Sequence, residues 1–210
     1  MTLTIETFIL GAIDNNIYLV SDPKTKEAVL IDPAIPSGKV LDHIREMDLH
    51  LTQIWITHAH FDHIGGVRWF VDKSENPIQV FMHQQALPLW ENAGGARDFG
   101  FDFEPGPAPD HMIQENETLS VGAFTFNVLH TPGHTPGHVT YYCEQAKAAF
   151  CGDLIFYHGV GRTDLAGSDP DALTKSITEK IFTLPGGTKL YPGHGKATTV
   201  AEEIQNNPFI

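Results

Sequence analysis

Along the first third of the chain, short apolar runs alternate with turn-forming residues. The runs are rich in β-branched residues and are separated by Gly, Asn, Asp and Pro, a pattern that predicts strands. The predicted strands are TLTIETFIL, NIYLVS and EAVLID. The spacing then becomes helical in SGKVLDHIREMDL, where Val40, Leu41, Ile44 and Met47 fall on one face. This part of the chain therefore predicts three strands followed by a helix.

The middle of the chain continues the alternation of strands and helices. LTQIWI is nearly continuously apolar, which predicts a strand buried on both faces, and HIGGVRWFVDKS predicts a helix directly after it. IQVFM predicts another strand, and HQQALPLWEN predicts a short helix interrupted at Pro88. Residues 93–111, rich in Gly, Pro and Phe, predict a loop whose length is typical of a lid or a substrate lip. Its Phe99, Phe101 and Phe103 either line an apolar pocket or fold onto the core.

The last third contains four further predicted strands and two predicted helices. The strands are FTFNVLH, HVTYYC, AAFCGD and TKLY, and the helices are DPDALTKSITEKIFTL and TTVAEEIQN. Asp169 caps the first of these helices, Pro170 fits its first turn, and Pro185 with Gly186 ends it. Two runs of strands, each followed by helices, predict an α/β fold with two sheets face to face and helices outside. No change of composition marks a linker, so we expect a single domain over residues 1–210.

Composition and charge exclude several classes of protein. A hydrophobic content of 41% with 19% charged residues is ordinary for a globular domain. The formal net charge of −13 disfavours nucleic acids and anionic membranes as partners, because both attract proteins with a surplus of Lys and Arg. The N-terminal MTLTIETFIL lacks the features of a signal peptide, and no apolar run reaches the length of a membrane span, so we expect a soluble cytoplasmic protein. Cys143 and Cys151 are interpreted as two buried thiols, with a single bridge between their strands as the alternative.

The stretch THAHFDH follows the apolar run LTQIWI and places four metal-binding side chains within six residues. His58 and His60 lie two residues apart on an extended segment, so their side chains project to the same side. Asp62 and His63 follow where the chain turns into a helix. Imidazole and carboxylate groups are ligands of zinc, iron and manganese; four of them fit one ion, but this alternating arrangement fits two adjacent ions better. The alternative is a set of surface or helix-capping polar residues.

Three later motifs share one pattern, in which an apolar strand ends and a potential ligand follows in a tight turn. The motifs are LHTPGHTPGH, AAFCGD and LYPGHG, and their candidate ligands are His134, Asp153 and His194. In the parallel parts of a sheet such strand ends meet at one edge, where binding sites form. In the first motif His134 lies in the turn, which favours it as the ligand. His130 and His138, at the ends of the flanking strands, are then supporting or buried histidines.

Together these motifs resemble those of the metallo-β-lactamase superfamily. The string Thr-His-x-His-x-Asp-His, followed by TPGH, GD and PGHG, is highly diagnostic of that superfamily. Within it the chain resembles the glyoxalase II (hydroxyacylglutathione hydrolase-like) enzymes, particularly their short, single-domain relatives. The match runs from the first strand to the C-terminal NPF and includes VGRTDLAGSDP. The resemblance implies a four-layer αββα sandwich. It also implies that one metal is held by His58, His60 and His134, that a second is held by Asp62, His63 and His194, that Asp153 bridges them, and that Asp32 supports the site.

The resemblance further implies two divalent cations and a hydrolytic reaction. Zinc is the first choice, with iron or manganese as alternatives, because these ligands discriminate poorly between metals. Two such ions, about 3.5–4 Å apart, share a bridging water and make it a hydroxide that attacks a carbonyl carbon. Asp62 is the expected catalytic residue, since it would orient the hydroxide or accept its proton. The expected activity is that of a glyoxalase II-type thioesterase, which converts S-lactoylglutathione or a related small-molecule thioester into a thiol and an acid.

Other activities of the same fold stay open as alternatives. A lactonase or another ester hydrolase would use the same hydroxide, with the shape of the pocket deciding between substrates. Persulfide dioxygenases share a similar GRTD segment but use one Fe(II) held by two histidines and a carboxylate. On that interpretation His58, His134 and Asp153 would suffice, and the other ligands would be vestigial.

The C-terminus departs from the pattern of the larger glyoxalase II enzymes. Those enzymes continue into a helical domain whose basic residues bind glutathione, whereas here only 16 residues follow His194 and Lys196 is the sole basic residue among them. No helical glutathione-binding domain is therefore expected. Arg162, in VGRTD, either binds a carboxylate of the substrate or ties down its own loop.

Overall fold

Residues 2–210 are described by a computed structural model, in which two six-stranded sheets are the dominant feature. The first sheet has the order β1-β2-β3-β4-β5-β6, antiparallel up to β3 and parallel from β3 onward. Its strands are β1 Thr4–Leu10, β2 Asn15–Ser21, β3 Glu27–Ile31, β4 His50–Trp55, β5 Gln79–His83 and β6 His111–Ile113. The predicted metal ligands His58 and His60 follow the end of β4, in the parallel half of this sheet.

The second sheet is mostly antiparallel, with one parallel pair of strands. Its strands are β7 Thr118–Val121, β8 Phe124–His130, β9 Val139–Cys143, β10 Ala148–Gly152, β13 Lys189–Pro192 and β14 Thr198–Thr199. They are ordered β14-β13-β10-β9-β8-β7, and β10 runs parallel to β13. A separate small hairpin, β11 Ile155–Phe156 and β12 Gly159–Val160, follows β10.

Helices cover the outer faces of both sheets. They are α1 Gly38–Glu46, α2 Phe61–Ile64, α3 Val67–Lys73, α4 Leu87–Glu91, α5 Pro170–Ser176 and α6 Val200–Asn206. Among the described residues, none of these helices combines the length and the apolar character that crossing a bilayer requires.

Alternation along the strands divides the core into three apolar layers. On β2, Ile17 and Leu19 pack with the helices of the first sheet, while Tyr18 and Val20 face the second sheet, because successive side chains point to opposite faces. Between the sheets, Trp55 packs edge-on against Phe126, with ring centroids 5.0 Å apart. A third layer, which includes Ala149, Leu173, Ile177 and Val200, lies under α5 and α6. Three apolar layers between four layers of structure confirm the predicted αββα sandwich.

The predicted single helix over HIGGVRWFVDKS is wrong, because the chain breaks it into α2 and α3 at Gly65 and Gly66. The Gly66 N–H donates to the Pro33 carbonyl at 2.7 Å. A β-carbon at Gly65 or Gly66 would lie 2.5 Å from the carbonyl oxygen of Ala34 or Ile35, respectively. The close approach of the loop after β3 therefore requires glycine at both positions and interrupts the helix.

Other boundaries also differ from the prediction. Pro88 does not interrupt a helix but lies in the first turn of α4, where a missing N–H costs nothing. The predicted loop over residues 93–111 begins with a short 3₁₀ segment, Ala93–Phe99, and ends in strand β6. Asp169 caps α5 as predicted, although the helix continues beyond Ser176 as one π-helical turn, Ile177–Ile181. The short strands β6, β7, β11, β12 and β14 were not predicted.

Two smaller predictions have clear outcomes. The burial of β4 on both faces holds only near its end, because Thr52 is exposed and Gln53 is half-buried, whereas Ile54 and Trp55 are fully buried. Cys143 and Cys151 are buried free thiols, so the alternative of a disulfide between their strands is wrong.

Candidate metal centre

The seven residues that the sequence singles out lie together at one edge of the two sheets. The segment after β4 carries His58 and His60, and α2 carries Asp62 and His63. The turn between β8 and β9 carries His134, Asp153 directly follows β10, and His194 lies two residues after the end of β13. The carboxyl ends of the parallel strands bring these loops together.

The cluster contains two groups of three potential metal ligands. His58, His60 and His134 offer nitrogen atoms that all lie within 4.8 Å of one another, and His60 Nδ1 is 2.9 Å from His134 Nε2. The donor atoms of Asp62, His63 and His194 likewise lie within 4.8 Å of one another. Each group takes two members from the first sheet and its helices and one from the second sheet.

Asp153 lies between the two groups. Its Oδ1 is 3.4 Å from His63 Nε2, and its Oδ2 is 3.6 Å from His194 Nε2 and 3.8 Å from His134 Nε2. One carboxylate therefore contacts histidines of both groups, as a bridging ligand would.

Hydrogen bonds to the outer ring nitrogens fix the orientation of four of the histidines. His63 Nδ1 donates to Asp32 at 3.0 Å, His134 Nδ1 to the Arg162 carbonyl at 2.8 Å, and His194 Nδ1 to the Ile13 carbonyl at 3.1 Å. Thr57 Oγ1 donates its proton to Asp32 at 2.6 Å, so it accepts from His58 Nδ1 at 3.1 Å. Because each Nδ1 makes the outward hydrogen bond, each Nε2 faces the centre and is the atom available to a metal ion.

Burial keeps the three histidines of the first group neutral. It lowers the pKa of His58 well below the ordinary value and the pKa of His60 to about 3, and the neighbouring imidazoles add to both effects. Burial also lowers the pKa of His134, although the charge of Asp153 opposes it. Neutral imidazoles with free lone pairs are the form in which histidine binds a metal ion.

The second group holds more charge. Burial raises the pKa of Asp62, but His63, His194 and Asn15 outweigh it and hold the pKa below its ordinary value. Burial likewise raises the pKa of Asp153, but His63 and other histidines bring it down to about 2. Burial lowers the pKa of His63, yet Asp153 and Asp62 raise it well above the ordinary value. The ionised carboxylates of Asp62 and Asp153 thus favour the protonated form of His63. A metal cation bound there would take the place of that proton.

Three buried polar atoms at the centre have no hydrogen-bond partner among the described residues. They are His58 Nε2, His63 Nε2 and Asp153 Oδ1, one from each part of the cluster. Buried polar atoms are normally paired, since leaving one unpaired costs about 1–3 kcal/mol. A set of nitrogen and carboxylate donors with unpaired atoms facing one another fits divalent metal ions.

Sequence reasoning missed two asparagines that hold the centre in place. Asn15 is buried, and its Nδ2 donates to the Asp62 carbonyl at 2.7 Å and to Asp62 Oδ2 at 3.1 Å. Asn16 Nδ2 donates to the carbonyls of Pro192 and Gly195, which flank His194, at 3.0 and 2.7 Å. The only signal in the sequence is a pair of polar residues, in DNNIYLV, at the start of an otherwise apolar strand.

Asp32 lies beside the centre but not in it. Its Oδ1 accepts the Thr57 N–H at 2.7 Å, and its Oδ2 accepts from Thr57 Oγ1 and His63 Nδ1. With both oxygens engaged, the carboxylate orients Thr57 and His63, in keeping with its expected supporting role.

The other predicted residues surround the centre. Arg162 is exposed and forms a bidentate ion pair with Asp164 at 2.7 and 2.8 Å, while its carbonyl orients His134. His138 is fully buried and stacks on His58, with centroids 5.2 Å apart. His130 stacks on His83 instead, at 4.1 Å.

Phenylalanines of the segment after α4 line the approach to the centre. Phe99 and Phe101 pack on Phe61, with ring centroids 5.4 and 5.5 Å apart. Together with the site residues they enclose a cavity of about 350 Å³. For these two side chains the structure favours the apolar pocket that the sequence left as one of two possibilities, whereas Phe103 both packs against the core and lines a neighbouring cavity.

Comparison with known proteins agrees with this geometry. A family model described as the metallo-beta-lactamase superfamily matches residues 10–194. The chain is 38% identical to the probable metallo-hydrolase YqgX of Bacillus subtilis, covering 96% of this chain and 94% of that protein. It is 34% identical to the hydroxyacylglutathione hydrolase GloC of Haemophilus influenzae (99% and 98%) and 32% identical to the mitochondrial persulfide dioxygenase ETHE1 of Bos taurus (92% and 70%). Among solved structures, TTHA1623 in a di-iron-bound form matches with a TM-score of 0.88 and 39% identity, covering 98% of this chain and all of that one.

Proposed function

We propose, from the fact that the chain belongs to the metallo-beta-lactamase superfamily, that it is a dinuclear metallohydrolase that cleaves thioesters. His58, His60 and His134 would hold one ion, and Asp62, His63 and His194 would hold the other, with Asp153 shared between them. Zinc is our first choice of metal. The di-iron form of a similar protein makes iron the principal alternative.

The observation that carries the proposal is the position of Asp153 between two complete groups of donors. When bound, two divalent ions polarise a carbonyl and lower the pKa of a water molecule toward neutrality. The residues of the chain supply the rest of the chemistry. Asp62 is ionised, and Asn15 holds it in place through hydrogen bonds to its side chain and its carbonyl, so it can orient the attacking water or accept a proton from it.

Thioester hydrolysis suits a site with these groups. The water oxygen forms a bond to the carbonyl carbon, the carbon–sulfur bond breaks, and the sulfur departs with the bonding electron pair. A thiolate is a good leaving group, so the reaction needs no strong general acid. The donor cluster contains Asp62 as a proton acceptor and otherwise only histidines and Asp153, which matches that requirement.

A persulfide dioxygenase is the second candidate, because one of the relatives carries that activity in its name. Such an enzyme would need only His58, His134 and Asp153 to hold one iron. In this chain the second group is also complete, and Asn15 and Asp32 orient Asp62 and His63 within it. The complete second group of metal ligands, held in place by these hydrogen bonds, favours the hydrolase.

Metal analysis combined with a thioester panel tests the proposal. We expect the purified protein to contain about two metal ions per chain and to hydrolyse thioesters, in a panel led by S-lactoylglutathione. Asp153→Ala should lose both metal and activity, while Glu46→Ala, which removes an exposed carboxylate on α1, should retain both. Full activity in Asp153→Ala would contradict the shared-ligand assignment. Oxygen uptake with glutathione persulfide, without thioester cleavage, would favour the dioxygenase.

A further inference from the structure

A second cavity, which the proposed chemistry does not use, adjoins the metal centre. We call it the side cavity; it measures about 320 Å³ and lies between the β1–β2 turn, the loop after β3, α2 and the segment around residue 102. Ile13, Phe61, Asp62 and Phe101 line both this cavity and the one at the metal centre. The two cavities are therefore neighbours, with Phe61 and Asp62 in the wall that they share.

The walls of the side cavity are apolar. Ala34 is buried, Ile35 and Phe103 are half-buried, and Pro36 is exposed; all four line it. At its mouth, Ile13 is 56% exposed and Phe101 is 57% exposed. Large apolar side chains left exposed together beside a catalytic centre mark a surface that a ligand covers.

The charged side chains that line the side cavity disfavour an anionic group there. Among the residues that line the two cavities, Arg162 is the only Lys or Arg, and Asp164 already pairs with it. The charged groups that line the side cavity itself are Asp62 and Asp102. A carboxylate placed there would lose its hydration and gain no cationic partner in return.

We infer, resting on the proposed thioesterase activity, that the side cavity binds an uncharged aliphatic acyl chain of the substrate. The departing sulfur develops negative charge, so the thiol part belongs in the other cavity, where His60, His134 and His194 of the metal centre lie. The acyl chain stays neutral throughout the reaction and fits the apolar walls. The preferred substrates are then thioesters of medium-length fatty acids rather than those of short polar or carboxylated acids.

A series of acyl thioesters of N-acetylcysteamine, assayed with the metal-loaded enzyme, tests this inference. Each methylene that enters the cavity should raise kcat/KM by roughly fourfold, so that hexanoyl exceeds acetyl by at least about tenfold. Butyryl should exceed succinyl, in which a carboxylate replaces the terminal methyl group. Ala12→Trp, at an exposed position on the cavity wall, should reduce the hexanoyl-to-acetyl ratio to near one. Ala108→Trp, at an exposed position away from both cavities, should preserve the wild-type ratio.

The outcomes separate this inference from the proposed function. Hydrolysis with no dependence on acyl length, or an unchanged ratio in Ala12→Trp, would overturn the inference and leave the thioesterase intact. A preference that follows the length of the thiol instead of the acyl chain would also overturn it. Failure of the metal-loaded enzyme to cleave any thioester would refute the proposed function itself.

Discussion

Gly193 offers a way to disturb the metal centre without replacing any of its donors. Its N–H donates to the Gly152 carbonyl at 2.8 Å, and its carbonyl accepts the Asn16 N–H at 2.8 Å, so its backbone is held on both sides. A β-carbon at Gly193 would overlap Asp153 Oδ1 and lie 2.5 Å from His63 Cε1. Because the backbone cannot retreat, Gly193→Ala should push the Asp153 carboxylate out of position.

The size of the effect follows from that overlap. Ordinary van der Waals contact begins at 3.4 Å, so the methyl group stands about 0.9 Å too close to His63 and closer still to Asp153. A displacement of about 1 Å in a catalytic group is expected to reduce kcat/KM by about 100-fold. Because Asp153 lies between the two donor groups, the metal content should fall as well.

Metal analysis and thioester kinetics on Gly193→Ala measure both effects, with thermal unfolding to establish that the variant is folded. Gly187→Ala is the matched control, since a β-carbon at Gly187 meets nothing within 4 Å and its backbone is not in the left-handed region. The control should match the wild type in metal content and activity. Wild-type metal content and turnover in Gly193→Ala would refute the argument that this glycine makes room for Asp153.

Three further predictions address the supports of the site and of the fold. Asp32→Ala should lower the free energy of unfolding, measured with urea, by about 1–3 kcal/mol for each buried hydrogen-bond donor left unpaired, including His63 Nδ1. An unchanged free energy of unfolding would contradict the role assigned to Asp32. Chelation should abolish turnover and lower Tm, and restored metal should reverse both, because ions that bind only the native state stabilise it by about 2.7 kcal/mol at a hundred times Kd. Hydrogen bonds from the backbone N–H groups of Ala123 and Lys24 lower the pKa of Asp22. The ionised carboxylate therefore stabilises the fold above its unfolded-state pKa, and this stabilisation is lost as the pH falls through its folded-state pKa. Asp22→Asn should therefore reduce the loss of stability between about pH 7 and about pH 3, and an unchanged pH dependence would contradict this assignment.

Most of the candidate site could be predicted because its potential metal ligands follow the ends of strands, and these strands can be recognised from local sequence. A run such as LTQIWI predicts a strand by itself, and the polar residues after it must then lie at an edge of a sheet. Asn15 carried no such signal, because its partner Asp62 lies 47 residues away and only the packing of the β1–β2 turn on α2 joins them. The same applies to Gly193, whose role depends on a contact with Asp153.

The errors in the fold have a similar cause. Gly65 and Gly66 fit a helical pattern, and only the approach of the carbonyls after β3 explains why the helix breaks there. Strand β6 is three residues long and pairs with β5, so its hydrogen bonds rather than its pattern define it. Local periodicity identifies elements that are long enough to repeat, and it does not reveal elements that neighbours impose.

Each group of donors takes two members from the first half of the chain and one from the second, and this division has a consequence for assembly. Each of the two groups is completed by a histidine of the second half, so the full set of ligands forms only after the sheets have docked. The free energy of metal binding would then add directly to the free energy that holds the two halves together. The ions would therefore cross-link the two halves of the chain as well as supply the reactivity.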